Sequence, residues 1–187
     1  MDRIDDVITF WFGPKNSEEF GKDRLIWFKK DDDFDESIRN RFLNLYEDAF
    51  SSKLDNWIET PDGALALCVV LDQFPRNMFR NDPRSFQSDA MARIIADKAL
   101  SKGYDKVFPP PMRKFFFLPF EHSEDMTDQK RCIDLFKEAG DEEGLVWAIK
   151  HLEIIERFGR FPHRNATLNR SSTQEELDFL KQPGSSF

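Results

Sequence analysis

Apolar residues recur along this chain at helical intervals, and no stretch alternates convincingly enough to read as a strand. In 33–46, Phe34, Ile38, Phe42 and Tyr46 repeat every fourth position behind an acidic first turn, a charge sign that suits the positive end of a helix. Thr60-Pro-Asp-Gly63 supplies an N-cap with Pro in the first turn, and Ala64 to Leu71 is then apolar on every side, the pattern of a central helix. Its far end delivers Asp72 and Gln73 before Phe74-Pro75, where the proline predicts a stop. Ile4 to Phe12 predicts a short apolar helix ending at Gly13-Pro14, and Ser88 to Lys102 another one closed by Gly103.

Pro109-Pro-Pro111 makes a rigid lead-in to the Phe-rich segment from Met112 to Phe120. Ser123 or Thr127 caps a helix running to about Ala139 with Gly140 as its stop, and Glu142 to Phe158 follows, closed by Gly159. Ser172 or Thr173, with Glu175 and Glu176 placed for a capping box, opens a last helix to about Lys181, and the tail 182–187 reads as frayed. The pattern predicts an all-α fold of antiparallel helix pairs, a tetratricopeptide-like bundle or short solenoid, although no clean 34-residue period is present. No low-complexity linker interrupts it, so residues 1–187 are expected to form a single domain.

Composition sharpens this picture. The 20 Phe against 2 Tyr point to a core of packed rings. No run approaches the ~18 apolar residues that span a bilayer, and the first residues lack a basic-then-apolar leader. Cys68 and Cys132 each fall inside an apolar helical pattern, the placing of reduced, buried thiols, so the expected location is cytoplasmic. A net charge of −8 argues against nucleic acid or a membrane as partner, since both need a positive field. One segment departs from that average. Arg157, Arg160, Arg164 and Arg170 fall together with no acid between them, and removing these four from the 27 basic residues leaves 23 against 35 acids, a net of −12.

Two stretches resemble each other: Asp72-Gln-Phe-Pro-Arg-Asn77 and Gly159-Arg-Phe-Pro-His-Arg-Asn165, each a Phe-Pro corner with an Arg-Asn pair after an apolar helix. Between them lies Phe120-Glu-His-Ser-Glu-Asp125. The candidate ligand-binding residues are therefore Asp72, Gln73, Arg76, Asn77, His122, His151, Arg160, His163, Arg164 and Asn165, a set dense in donors and suited to carboxylate or phosphate. On the helix from Glu142 to Phe158, His151 falls on the packed side in a stripe with Trp147, Ile154 and Phe158, beside Ala148, Leu152 and Ile155. His122, Glu124, His151 and His163 are candidates for proton transfer. The bland alternative is that the arginines pair with Asp72, Glu121, Glu124 or Asp125 and hold the fold together. No metal-ligand spacing, glycine-rich phosphate loop, dinucleotide fingerprint or serine elbow occurs, so neither metal nor cofactor is expected and Ser123 reads as a cap.

With Leu71-Asp-Gln-Phe-Pro-Arg-Asn77, Leu118-Pro-Phe-Glu-His-Ser-Glu-Asp125 and Ile155-Glu-Arg-Phe-Gly-Arg-Phe-Pro-His-Arg-Asn165 in order, the chain resembles the domain-of-unknown-function family 924 over nearly its whole length. The resemblance implies an all-helical, tetratricopeptide-like fold and brings no established activity. One departure is Asn169, where the family usually has Gly; Asn tolerates the left-handed backbone that Gly implies. Three functions stay open. One is binding of a small anion, a phosphate ester or carboxylate, in an Arg/His pocket, with Arg76, Arg160 and Arg164 on the anion and Asp72 and Glu124 orienting them. The second is a hydrolase or lyase built on a His–carboxylate pair there. The third is a protein-interaction module whose motifs are structural.

Overall fold

A computed structural model describes residues 3–185. Its chain is helical throughout, with no strand among the described residues: α1 (Arg3–Phe12), α2 (Asp32–Phe50), α3 (Pro61–Cys68), α4 (Phe74–Met78), α5 (Asp89–Ser101), α6 (Pro110–Arg113), α7 (Leu118–Glu121), α8 (Met126–Ala139), α9 (Glu142–Phe158) and α10 (Gln174–Phe179). Among the described residues no helix is long and apolar enough to cross a membrane. The chain divides into two compact units: one takes the residues up to Arg80 together with Arg84–Pro119, the other Asn81–Pro83 and the chain from Phe120 onward.

The first unit is built around rings. Trp11 stacks on Trp27 and Phe34, and meets Phe74 and Phe115 edge-on. Every residue from Ala64 to Leu71 is buried, as the uninterrupted apolar run requires. Thr60 caps α3 as expected, its hydroxyl accepting from the Gly63 N–H at 3.2 Å.

The stop expected at Pro75 is not there. Val69–Gln73 winds instead as one π-helical turn that leads straight into α4. Because Pro75 has no N–H, the carbonyl of Leu71 loses its usual partner four residues on. The Ser88 hydroxyl fills that vacancy, donating to Leu71 C=O at 2.5 Å, so the chain bends rather than ends.

In the second unit, α8 and α9 are joined through Gly140 (φ +67°) and Asp141, a connection short enough to fold one helix back along the other. Gly144 makes their close approach possible: a Cβ there would come within 2.2 Å of the Phe136 ring. Gly144→Ala is expected to cost about 2 kcal/mol through that overlap, read as a lower midpoint in urea unfolding. The α8 cap is Asp125, accepting from Thr127 N at 2.7 Å, and not Ser123 or Thr127. A carboxylate beside free N–H groups outcompetes a hydroxyl, and the Ser123 hydroxyl is turned to Asp128 at 2.6 Å.

The capping box at Thr173 and Glu176 forms as read, though α10 ends at Phe179, short of Lys181. Ile154, Ile155 and Phe161 are buried together, with Met126, Phe158 and Phe179 packed on them. Of the tail, 186–187 lie outside the described residues, while 182–185 turn so that Ser185 Oγ donates to Leu180 C=O at 3.1 Å.

Candidate functional site

The loop after α9 carries the densest chemistry. Gly159 (φ +69°) reverses the chain, its N–H bonding Ile155 C=O at 2.8 Å, and Pro162–Arg164 then form a single tight turn. The turn closes through Arg164 N to Phe161 C=O at 3.1 Å and Asn165 N to Pro162 C=O at 3.0 Å. Asn169 adopts φ +53°, the left-handed conformation expected of it, and Arg170 N bonds back to Asn165 C=O at 2.8 Å.

Two ion pairs brace this loop. Glu124 accepts from Arg170 at 2.7 and 2.9 Å and from the Phe161 N–H at 2.8 Å, while Arg170 donates to Phe161 C=O at 3.0 Å. Both backbone polar groups of Phe161 are thereby held by one carboxylate–guanidinium pair. Burial pushes the Glu124 carboxyl up, but the Arg170 hydrogen bonds, the Phe161 N–H and the positive charge of Arg170 and Arg164 hold it below the usual range. Arg160 forms a fork with Glu176 at 2.7 and 2.8 Å and donates to Ser171 C=O at 2.8 Å. That guanidinium, helped by the Thr173 N–H and Asn165, holds the Glu176 carboxyl down at about 2. Asn165 itself is buried and donates to Ser172 Oγ at 3.0 Å.

Within this frame the chain's 3 histidines come together. The His151 ring lies 6.3 Å from His122 and 5.6 Å from Phe161, and Phe161 lies 5.6 Å from His163, measured between ring centres. Arg164 is buried, its guanidinium 4.7 Å from the centre of the Phe161 ring and donating to His122 C=O at 2.9 Å.

His151 is 5% exposed. Its Nδ1 is 2.9 Å from Trp147 C=O and 3.6 Å from Glu121 Oε1, and a carbonyl only accepts, so Nδ1 carries the proton and Nε2 is the acceptor nitrogen. Burial dominates in lowering its pKa to about 3; the Trp147 carbonyl opposes this, and His122, His163 and Arg164 add to it. At neutral pH His151 is an uncharged hydrogen-bonding group and a weak base. Burial and the neighbouring Glu121 push the Cys132 thiol well up, so it is no nucleophile.

The α9 stripe falls as read for Ala148, His151, Ile154 and Ile155, all buried, but Trp147 turns outward, where Lys150 Nζ sits 4.0 Å over its ring. At 100° per residue Trp147 falls within the arc, between Ile154 and His151, yet the side chain stands largely exposed, and a cation on its face favours the solvent side.

Asp72, Gln73, Arg76 and Asn77 belong to the first unit and form a network of their own. Gln73 donates to Asp72; Arg76 grips Asp89 at 2.9 and 3.1 Å and donates to Asp72 C=O at 2.5 Å. Asn77 donates to Asp35 at 2.7 Å, and Arg80 pairs with the same carboxylate. His122, His151, His163, Arg164 and Glu124 are thus grouped in the second unit, with Arg160 and Asn165 in the bracing around them. Sequence reasoning passed over Asp35, Arg80 and Asp89, and read Glu176 only as a cap. The one available hint was the lack of any acid in 157–170, which obliges four arginines to find carboxylates elsewhere. Among the described residues no group of three or more His, Cys, Asp or Glu side chains is placed to hold a metal.

Fold and site together define an all-helical protein in which a histidine–arginine cluster is framed by carboxylate–guanidinium pairs. The chain belongs to the family described as bacterial proteins of unknown function (DUF924), which matches residues 7–184. It is similar to the solved structure of a protein of unknown function, ATU0120, from Agrobacterium tumefaciens, with 39% identity, a TM-score of 0.86, and coverage of 95% of this chain and 96% of that one. Among curated proteins none matches.

Proposed function

We propose that the protein binds a small anionic ligand, a phosphate ester or a carboxylate, at the histidine–arginine cluster of its second unit. One observation carries this reading: on a chain of net charge −8, all 3 histidines and the buried Arg164 gather about Phe161. Arg164, buried among the imidazoles, supplies the charge and the imidazoles supply directional contacts, while Arg160 and Arg76 grip Glu176 and Asp89 within the framework. The two buried thiols, not joined in a disulfide, suit a cytoplasmic setting, and the α8–α9 hairpin suits a tetratricopeptide-like arrangement.

A thermal-shift series with inorganic phosphate, simple phosphomonoesters and organic acids tests the reading. A ligand at ten times its Kd adds about 1.4 kcal/mol and raises the melting temperature by a few degrees. Arg164→Gln and His163→Gln should lose that shift while the exposed Arg157→Gln keeps it. No shift in the wild type at millimolar concentration ends the proposal.

The enzyme reading has one geometric support, the 3.6 Å approach of His151 to Glu121. With His151 uncharged down to about pH 3, proton transfer at neutral pH falls instead to His122 or His163 with Glu124. Turnover of phosphomonoesters that disappears in a folded His163→Ala variant would favour hydrolysis over binding.

A further inference from the structure

The outer face of α9 is unlike that of an ordinary surface helix. Its buried arc is Ala148, His151, Ile154 and Ile155, and the arc opposite should be polar. Yet Val146 and Ile149 stand there 51% and 39% exposed. Around them are four exposed carboxylates, Glu142, Glu143, Glu153 and Glu156, none of which has an ion-pair partner among the described residues. The two cations of the same face are engaged: Lys150 lies over Trp147, and Arg157 pairs with Glu175 at 2.8 Å while covering the Phe158 ring.

We propose that this face is a docking surface for a basic amphipathic helix of another protein, with Val146 and Ile149 as apolar anchors and the four glutamates as its charged rim. Apolar anchors inside a rim of one sign are how a helix-binding face combines affinity with selection by charge. The sign of the rim decides the occupant. A second copy of this chain would set glutamates against glutamates, and an anionic membrane would be repelled in the same way.

The test is fluorescence anisotropy with the full chain and a labelled synthetic helix of about four turns, carrying Leu on one face and Lys and Arg elsewhere. Binding in the micromolar range is expected. It should weaken by about tenfold, the loss of one good anchor, in Val146→Ser/Ile149→Ser, and by a similar factor when the four glutamates become Gln. Both variants alter only exposed positions, and an unchanged circular dichroism spectrum verifies their folds. A scrambled peptide of equal charge should bind at least tenfold more weakly. Absence of binding, equal binding of the scrambled peptide, or a wild-type dimer in sedimentation that Val146→Ser/Ile149→Ser makes monomeric would each overturn the proposal.

Discussion

Lowering the pH from 7 to 4 is expected to remove about 3 kcal/mol of stability through His151 alone, at up to about 1.4 kcal/mol per pH unit. Burial lowers the pKa of this imidazole from 6.5 to about 3 in the folded chain. Between those values the unfolded chain takes up a proton that the folded one refuses, so protons favour unfolding. The contribution is whole above pH 6.5, declines as the pH falls, and is exhausted near pH 3. Below about pH 4.5 the carboxylates held down by their arginines, Glu124 and Glu176, begin to be lost in addition. Urea unfolding at half-unit pH steps measures the slope. His151→Leu should flatten it between pH 6.5 and 4.5, since Trp147 C=O keeps its helical partner; an equal slope in that variant would assign the effect elsewhere.

Glu124→Ala should be the most costly single change to the bracing of the loop after α9, at about 3 kcal/mol. It leaves Phe161 N–H without an acceptor and Arg170 without its carboxylate, and so loosens the hold on both backbone polar groups of Phe161. Glu124→Gln keeps an oxygen for Phe161 and should cost only about 1 kcal/mol. In a double-mutant cycle with Arg170→Ala the coupling should exceed about 1 kcal/mol. If Glu124→Ala costs less than about 0.5 kcal/mol, within the range of ordinary surface changes, the pair does not brace the loop.

The helices were legible where local chemistry determines them. Gly140 and Gly159 sit in the left-handed conformation where a helix must end, Thr173 and Glu176 form their box, and Asn169 stands in for a glycine at φ +53°. What stayed hidden depends on contacts distant in sequence. Pro75 reads as a terminator until Ser88, 13 positions on, is seen to satisfy the carbonyl it orphans. Likewise, the arginines of 157–170 look like one patch of donors until Glu124, Glu175 and Glu176 claim three of them. Their spacing along the chain says only that such partners must exist. The gathering of the histidines belongs to the same category, because residues 122, 151 and 163 meet only once the loop after α9 has folded back.

The wide turn at Val69–Gln73 acts as a phase adjuster. It holds one residue more than a regular coil would, and each residue of an α-helix advances the direction of its side chain by about 100°. Were the same five residues to wind as a regular α-helix, Arg76 and Asn77 would aim about a quarter-turn away from Asp89 and Asp35. The width of the turn is accordingly what keeps these two donors on their carboxylates.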